Sequence, residues 1–412
     1  MRHQRFVTGI RNLFVTRVRL LVLGSLLLSI SSAIGQLLTP GAEHRVGGFS
    51  TEQRFPSIAI GRSVDLVVWL EADKAAGPER VIGRRLNRDG EPVDGEPMLI
   101  SAGLSSSAFP CVAFDGNAFL VVWIVGGDWG RLVGRRISED GNFLDSNPFL
   151  IAGQWASSPA VVFGADEYLV AWSSFDNVHS SIAGIFAVRV SRAGIVLDSV
   201  PQTIFDSPWD DLQPMVVYGR GRFAVTWYTL RWMGTHLPTF TPWLAFLSGD
   251  ATVTAEVTVQ ELMSVAGDYA RLGWNGSEFL AATQVDDTVY AVRLSSSGVA
   301  TKPVVIDKRA VPGYLHGVAN VGSTWIVLLE QNNYAKPSRS TGLYLSPESL
   351  RTDLAFPIGV DAVGASVASE GEHAAVVYVR SDDGFSTGPR AVFLRTLSEL
   401  AIPTGRRRAA HP

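Results

Sequence analysis

The chain has 412 residues, 46% hydrophobic and 18% charged, with 40 glycines and 21 prolines, which is typical of a soluble globular protein with many turns. Five of its 35 basic residues are arginines within residues 1–19, so 30 basic residues face 39 acidic ones in the remainder. An acidic surface repels phosphate backbones, which excludes nucleic acid as an expected partner. The single cysteine, Cys111, excludes an intrachain disulfide framework.

The N-terminal segment, residues 1–35, is first basic, then apolar, then rich in small residues. This order is typical of a secretory signal peptide, and cleavage is predicted after Ala33 or Gly35. An uncleaved membrane anchor is the alternative, because the uncharged span between Arg19 and Glu43 is nearly long enough to cross a bilayer. Both interpretations predict an exported protein, secreted or periplasmic, at a bacterial envelope. Contact with a membrane is expected only if the segment is retained.

Between residues 40 and 403, a pattern of roughly 50 residues returns seven times. Its clearest mark is a proline thirteen residues before a tryptophan. Four copies carry this pair: Pro56 and Trp69, Pro110 and Trp123, Pro159 and Trp172, Pro214 and Trp227. Three fainter copies carry Thr283, Leu329 and Tyr378 at the tryptophan position. A repeat of this length, built from short β-like runs, predicts a β-propeller in which each copy is one blade.

Copy two, residues 107–157, shows the predicted unit best. A first strand begins at Pro110, and a tight turn at Asp115–Asn117 leads to a second strand that ends at Trp123. A third strand, a second Asp-Gly turn and a short fourth strand around residues 149–151 complete the copy. The sequence therefore predicts an all-β fold: a seven-bladed β-propeller with four antiparallel strands per blade.

Hydrophobic periodicity supports this fold. In the first strands, bulky side chains stand at the third and fifth positions from the proline position, and a small one at the fourth. One face must stay small where strands from several blades converge near an axis. The second strands are apolar at consecutive positions, which indicates burial on both faces. We expect their aromatic side chains to be the main stabilising feature, at about 2–3 kcal/mol each.

An arginine recurs at one place in the third strand, as Arg85, Arg136, Arg189 and Arg293. Such a row could bind an anion. Because the arginine stands beside an apolar neighbour at the same place in successive copies, we expect it instead to bind a backbone carbonyl or a carboxylate of the adjacent blade.

The two ends of the repeat region predict how the ring closes. Residues 44–60 align with residues 149–163, so the first residues of that segment form a fourth strand that has no blade of its own. The last copy loses the pattern after residues 390–397. The N-terminal strand is therefore predicted to complete the last blade, which removes two exposed sheet edges. Residues 404–412 are predicted to be a disordered tail.

The consensus runs P-x-V-A-F-D-G-x-x-[YF]-L-V-V-W, a polar loop, I-x-G-R-[RV], a D-G turn, then L-D. It resembles repeats of exported bacterial β-propeller proteins in the broad kelch and WD-like class, which are mostly uncharacterised and share no single activity. The resemblance covers about 360 residues and implies a seven-bladed ring. The Gly-His and Trp-Asp marks of the WD family and the complete Asp boxes of sialidases are missing.

No catalytic, cofactor-binding or metal-binding motif stands out. The sequence has no HExxH, GxSxG, CxxC or phosphate-binding glycine loop, and its seven histidines are scattered. The repeated Asp-Gly turns lack the spaced oxygen ligands of a calcium loop, so hairpin turns are expected there. Cys111 follows Pro110, where other copies carry Ser57, Ala160, Met215 and Gly317. A buried structural side chain is expected rather than a reactive thiol.

One face of the predicted propeller carries two sets of loops: those between second and third strands, and those from a fourth strand to the next blade. We call it the loop face. Carboxylates beside exposed aromatic rings are typical of sugar-binding clefts. The predicted binding residues are Asp128, Trp129, Asp176, His179, Trp209, Asp210, Trp232, His236, Asp286 and Asp287. The alternative is that polar loops are simply rich in aspartate and that Trp155 and Trp209 pack between blades.

Two functions remain open at this point. The first is a binding or scaffold protein, expected to be a monomer, that recognises a glycan or a protein on the loop face. The second is a polysaccharide-directed hydrolase or lyase in which Asp128 and Asp176 act as acid and base. That pair requires carboxyl groups no more than about 10 Å apart.

Overall fold

The structure, a computed structural model, describes residues 38–48, 50–73, 78–102, 106–175, 182–231, 239–258, 270–295, 299–308, 313–331, 339–350, 352–360, 362–381 and 389–399. The predicted signal peptide or anchor and the predicted C-terminal tail lie outside these residues. A compact unit, Pro40–Ser398, holds nearly all of the sheet residues. No helix long and apolar enough to cross a membrane occurs in the described ranges.

The described residues form 27 strands and no helix, because short apolar runs are interrupted at close intervals by turn residues. In chain order the strands are β1 (Leu38–Arg45), β2 (Glu52–Ile60), β3 (Asp65–Ala72), β4 (Arg80–Leu86), β5 (Met98–Leu99), β6 (Ser107–Phe114), β7 (Ala118–Val125), β8 (Gly130–Ser138), β9 (Phe149–Gly164), β10 (Glu167–Phe175), β11 (Ala183–Ser191), β12 (Gln202–Phe205), β13 (Asp210–Gly219), β14 (Arg222–Arg231), β15 (Thr239–Leu247), β16 (Val253–Thr258), β17 (Ala270–Trp274), β18 (Phe279–Val285), β19 (Thr288–Leu294), β20 (Val304–Lys308), β21 (Gly313–Val321), β22 (Thr324–Gln331), β23 (Arg339–Leu345), β24 (Thr352–Val360), β25 (Val363–Glu370), β26 (His373–Ser381) and β27 (Arg390–Glu399).

Within the described ranges, the strands form five four-stranded sheets and one seven-stranded sheet. The four-stranded sheets have the orders β2-β3-β4-β5, β13-β14-β15-β16, β17-β18-β19-β20, β21-β22-β23-β24 and β1-β27-β26-β25. The seven-stranded sheet has the order β12-β11-β10-β9-β8-β7-β6. The all-β class is confirmed, but the seven separate four-stranded sheets that the sequence predicts are not found.

The long strand β9 causes this difference. Its first half pairs with β8, from Phe149 opposite Gly134 to Ala156 opposite Gly130. Its second half pairs with β10, ending with Gly164 opposite Glu167. The outer strand of copy two thus continues into the inner strand of copy three, where the sequence predicts two strands separated by a connection.

Seven strands lie around a central cavity of about 730 Å³. They are the first strands of the seven repeat copies: β2, β6, β9, β13, β17, β21 and β25. In each four-stranded sheet, the strand that lines the cavity is an edge strand. The sheets are therefore arranged around the cavity as in a β-propeller, as the sequence predicts.

Packing between inner strands explains the alternation of bulky and small positions. Gly273 stands at the small fourth position of copy five, and Val318 at the bulky third position of copy six. A Cβ atom on Gly273 would lie 2.8 Å from Cγ1 of Val318, closer than real Cβ contacts come. The small position of one inner strand thus receives the bulky side chain of the next.

The aromatic residues of the second strands form the core between sheets, as predicted. All seven side chains at the tryptophan position are buried: Trp69, Trp123, Trp172, Trp227, Thr283, Leu329 and Tyr378. The aromatic residues that precede them by four positions are buried as well: Phe119, Tyr168, Phe223, Phe279 and Trp325. Burial of each large aromatic ring contributes about 2–3 kcal/mol.

The recurrent arginines hold the structure together, as the sequence predicts. Three of them pair with a carboxylate through Nη2 and Nε: Arg85 with Asp94, Arg136 with Asp145, and Arg189 with Asp198. The predicted location of the carboxylate was wrong, since it lies in the arginine's own copy, where the turn after the third strand brings it alongside. Nη1 of Arg85 and Nη1 of Arg136 donate to the carbonyls of Glu139 and Arg192 in the next copy. Arg293 donates to the carbonyl of Pro347 in the next sheet.

The N-terminal strand joins the last sheet, as predicted, because β1 lies beside β27. It spans Leu38–Arg45, mostly before the predicted start at residue 44. Glu43 of β1 accepts hydrogen bonds from the hydroxyl of Tyr378 and, at 2.9 Å, from Nη2 of Arg380. Arg395 of β27 lies 3.8 Å from the same carboxylate. These contacts fix the closing strand to the last copy.

Candidate functional site

The structure describes six of the ten predicted binding residues. Asp176, His179, Trp232 and His236 lie outside the described residues. The separation of the predicted acid and base, Asp128 and Asp176, therefore stays untested. The other residues fall into three groups on different sheets.

The first group is an aromatic cluster at the junction of copies two and three. Trp129 lies in the loop between β7 and β8, where Gly126 and Gly127 have φ values of +103° and +95° that favour glycine. The ring of Trp129 stacks on the ring of Phe175, the last residue of β10, at a centroid distance of 4.5 Å and an angle of 29°. The ring of Trp155 from β9 meets Phe175 edge to face at 6.3 Å.

Trp155 has an unusual backbone conformation. Its φ is +72°, in the left-handed region that a bulky residue rarely adopts. It lies near the point at which β9 passes from its pairing with β8 to its pairing with β10. Its side chain is 42% exposed. Backbone strain of this kind concentrates at ligand-binding sites, so an exposed, strained tryptophan is a candidate contact for a ligand.

Trp129 and Trp155 line a cavity of about 290 Å³ together with Val125, Gly126, Gly130 and Arg131. We call this the tryptophan cavity. The guanidinium-bearing Arg131 is exposed, and so is Asp128 beside Trp129. Aromatic faces with charged hydrogen-bonding groups next to them suit a ligand that has both an apolar face and hydroxyl groups.

The second group, Trp209 and Asp210, belongs to the start of β13 in another sheet. The backbone N–H of Trp209 donates to Oγ of Ser207 over 3.2 Å, and Oδ1 of Asp210 accepts from the N–H of Ala183 over 3.1 Å. The neighbouring Asp211 is buried and accepts from the N–H of Ser207 over 2.9 Å. These bonds give Asp210 and Asp211 a structural role in the connection between sheets.

The third group, Asp286 and Asp287, forms a two-residue turn between β18 and β19, in which Val285 pairs with Thr288. Asp286 has a φ of +50°, and aspartate tolerates this conformation better than most residues. Oδ1 of Asp287 accepts from the hydroxyl of Thr288 over 2.8 Å. Neither residue lines the tryptophan cavity, and their role as binding residues stays a prediction.

None of the six described binding residues lines the central cavity. Its charged lining residues stand at or beside the turns that follow the first and third strands: Arg62, Arg88, Asp115 and Glu370. Oδ1 of Asp115 accepts from the N–H groups of Asn117 and Ala118 over 2.8 Å and 2.7 Å, so this carboxylate caps a turn. These turns lie at the opposite end of the strands from the loop face.

Cys111 also has a structural environment. Its thiol donates to the carbonyl of Pro159 in the next inner strand over 3.3 Å. Burial raises the pKa of Cys111, which disfavours the thiolate that nucleophilic chemistry needs. Among the described residues, no group of three or more His, Cys, Asp and Glu side chains is placed to hold a metal ion.

No protein-family model matches this sequence, and no curated protein matches it. Among solved structures, the chain is similar to an α-L-arabinanase of Penicillium chrysogenum, with a TM-score of 0.50, 11% identity, and coverage of 75% of this chain and 99% of that one. It is also similar to a subtype N10 neuraminidase-like protein of A/little yellow-shouldered bat/Guatemala, with a TM-score of 0.47 and 10% identity, over 71% of this chain and 95% of that one. At 11% identity the likeness to the arabinanase is one of fold, and it agrees with a propeller-class fold for this chain.

Proposed function

We propose that this chain is an exported, non-enzymatic glycan-binding protein whose ligand lies in the tryptophan cavity of the loop face. The observation that carries the proposal is Trp155, which is strained, 42% exposed and in contact with the Trp129–Phe175 stack. A pyranose ring offers apolar C–H groups to an aromatic face and hydroxyl groups to flanking charges. Arg131 and Asp128 provide these charges.

We also propose that the propeller has seven blades. The seven-stranded sheet counts as two four-stranded blades that share β9, because β9 belongs to copy two in its first half and to copy three in its second. Seven first strands around one cavity support this count. The repeat then belongs with the exported bacterial propellers that its consensus resembles.

Residues 1–35 carry the proposal of export. Their order of charged, apolar and small residues predicts a secreted or periplasmic protein with a cleaved leader. Mass spectrometry of the N-terminus of the protein recovered from its native host tests this. A first residue between 34 and 36 is expected, whereas an intact Met1 in the membrane fraction would favour the anchor.

The binding proposal is tested with the purified mature protein on a glycan array, followed by calorimetric titration of the glycan that binds best. Trp155→Ala is expected to raise its Kd at least tenfold, which corresponds to about 1.4 kcal/mol. Tyr314→Ala is the matched control, because Tyr314 is 44% exposed in a different sheet. Its Kd is expected to stay within about twofold of wild type.

Two outcomes would contradict the proposal. One is a glycan that binds Trp155→Ala as tightly as wild type. The other is an empty glycan array together with a protein captured in a pull-down, which would make the ligand a protein.

A monomer is expected in sedimentation velocity, and added DNA or RNA is expected not to bind, because the chain is acidic.

A further inference from the structure

A second cavity lies on the same seven-stranded sheet as the tryptophan cavity. It measures about 330 Å³, and its lining includes Trp172, Phe175, Phe186, Ser174 and Thr203. The rings of Trp172 and Phe186 stack at a centroid distance of 6.4 Å and an angle of 29°. Like the tryptophan cavity, it combines aromatic surface with polar side chains, here hydroxyl groups.

Phe175 connects the two cavities. It lines the second cavity, and its ring contacts Trp129 and Trp155, which line the first. Strand β9 links the cavities as well, since Ala152 and Gly153 line the second and Trp155 lines the first. We call the two cavities together the Phe175 groove.

Gly153 leaves the floor of this groove open. A Cβ atom built on Gly153 would meet no other atom within 4 Å, so a larger side chain at this position would project into free space. Gly153 also lies outside the set of residues with positive φ, so other residues fit its backbone conformation. A long side chain at residue 153 would therefore extend into the free space beside the cavity that Gly153 lines.

The groove combines aromatic rings with polar side chains at two neighbouring places. We infer that its ligand is a linear oligosaccharide of at least two sugar units, one in each cavity. The inference rests on the proposed function and deepens it, because a site for one terminal sugar would need only the tryptophan cavity.

The test compares affinity with chain length. Cello-, chito- and manno-oligosaccharides of one, two and four units are titrated into the mature protein, into Gly153→Leu and into Trp155→Ala. Gly153→Ala is the matched control, because a methyl group at that position fills little of the groove. Circular dichroism melts check that each variant is folded.

For the wild type, the Kd of the best series is expected to fall at least tenfold between one and two units. Gly153→Leu is expected to abolish this gain and to leave the Kd of the single sugar within about twofold. Trp155→Ala is expected to weaken binding at every length. Gly153→Ala is expected to behave as wild type.

The failure of the inference differs from the failure of the proposed function. If chain length or Gly153→Leu has no effect while Trp155→Ala weakens binding, the ligand occupies the tryptophan cavity alone and the inference is overturned. If no saccharide binds, or if Trp155→Ala binds all of them as wild type does, both are overturned. If an extended peptide binds in a Gly153-dependent manner and no saccharide does, the ligand is a polypeptide and both are again wrong.

Discussion

Two kinds of contact join neighbouring copies of the repeat, and they divide the propeller into two regions. Copies one, two and three are joined by arginines, because Nη1 of Arg85 and Nη1 of Arg136 each donate to a carbonyl of the following copy. Arg135 reaches backwards in the same region and donates to the carbonyl of Ile100 over 3.0 Å. Charged groups therefore contribute to each contact in this region, and between copies one and two the ring of Phe119 also packs on Gly61.

Copies three, four and five are joined by aromatic rings that lie on glycines. A Cβ atom on Gly164 would lie 2.1 Å from the ring of Tyr218, and one on Gly219 would lie 2.3 Å from the ring of Trp274. The aromatic ring of one copy therefore packs directly against a glycine of the preceding copy. This region depends on close fit rather than on charge.

The comparison shows that copies of one architecture can be joined by two kinds of contact, one at third strands and one at first strands. Copies one to three, in which the consensus is strong, each pair an arginine with an aspartate nine residues later. Copy four keeps neither residue, and copy five keeps only Arg293, which donates to the carbonyl of Pro347 in the next sheet, so the consensus fades while the fold stays. The Phe175 groove lies at the junction of copies two and three, in the region joined by arginines.

The largest effect is expected where an aromatic ring packs on a glycine of the preceding copy. Gly164→Val forces the ring of Tyr218 out of its place and is expected to lower the free energy of unfolding by about 3 kcal/mol. Gly153→Val, in the same strand, meets free space and is expected to change it by less than about 0.5 kcal/mol. Urea unfolding measures both. Equal losses of unfolding free energy in the two variants would show that the packing of the Tyr218 ring does not require a glycine at residue 164.

A smaller effect is expected at an arginine joint. Asp145→Asn removes the charge that holds Arg136, and both side chains are about 15% exposed. Because hydrogen bonds between charged groups contribute about 1.5–3 kcal/mol, a loss of about 2 kcal/mol is expected. Asp140→Asn, at an exposed turn nearby, is the control and is expected to unfold as wild type does. An Asp145→Asn variant as stable as this control would show that the Arg136–Asp145 pair does not stabilise the contact between copies two and three.

The smallest expected effect is a difference between the two regions in how the free energy of unfolding depends on pH. Burial alone would raise the pKa of Asp198, but the hydrogen bonds from Arg189 outweigh it and hold the pKa below its usual range. Burial raises the pKa of Asp211 in copy four, in spite of hydrogen bonds from Thr229 and Ser207. The two carboxylates should therefore change stability with pH in opposite directions.

The direction of each change follows from the difference between the pKa values of the carboxylate in the folded and unfolded states. Asp198 stabilises the fold above its unfolded pKa of about 3.9, and this contribution is lost as the pH falls through its lowered value. The contribution of Asp211 is present below about pH 3.9 and is lost as the pH rises through its raised value. Unfolding free energies of wild type, Asp198→Asn and Asp211→Asn across this range measure both. Differences from wild type that run in the same direction would contradict the assignment.

The sequence predicts the fold well because its signals are local and repeated. The spacing of proline and tryptophan, the apolar runs and the Asp-Gly turns locate the strands, and the alignment of the N-terminus with an outer strand predicts the closure. The continuity of β9 is not predictable in the same way. The equivalent segment of copy one and copy two forms two separate strands, β5 and β6, although the repeat pattern is the same.

The candidate site is only partly predictable. The sequence shows that Trp129 is an aromatic residue in a loop. Phe175 has the pattern of the last residue of an apolar strand, and only its stack with Trp129 in the structure places it in the candidate site. Asp286 and Asp287 have the composition of a binding loop but form a tight turn, because β18 and β19 pair up to Val285 and Thr288. A contact between copies decides the first case and strand pairing within one copy the second, and the spacing of residue types encodes neither.

The most direct measurement is the ¹⁹F NMR spectrum of the protein labelled with 5-fluorotryptophan, recorded while the best-binding oligosaccharide is added. The resonance of Trp155, assigned by its loss in Trp155→Phe, is predicted to shift with saturation, whereas that of the fully buried Trp69 stays in place. A Trp155 resonance that does not move at saturating saccharide would contradict the proposal that this side chain holds the ligand.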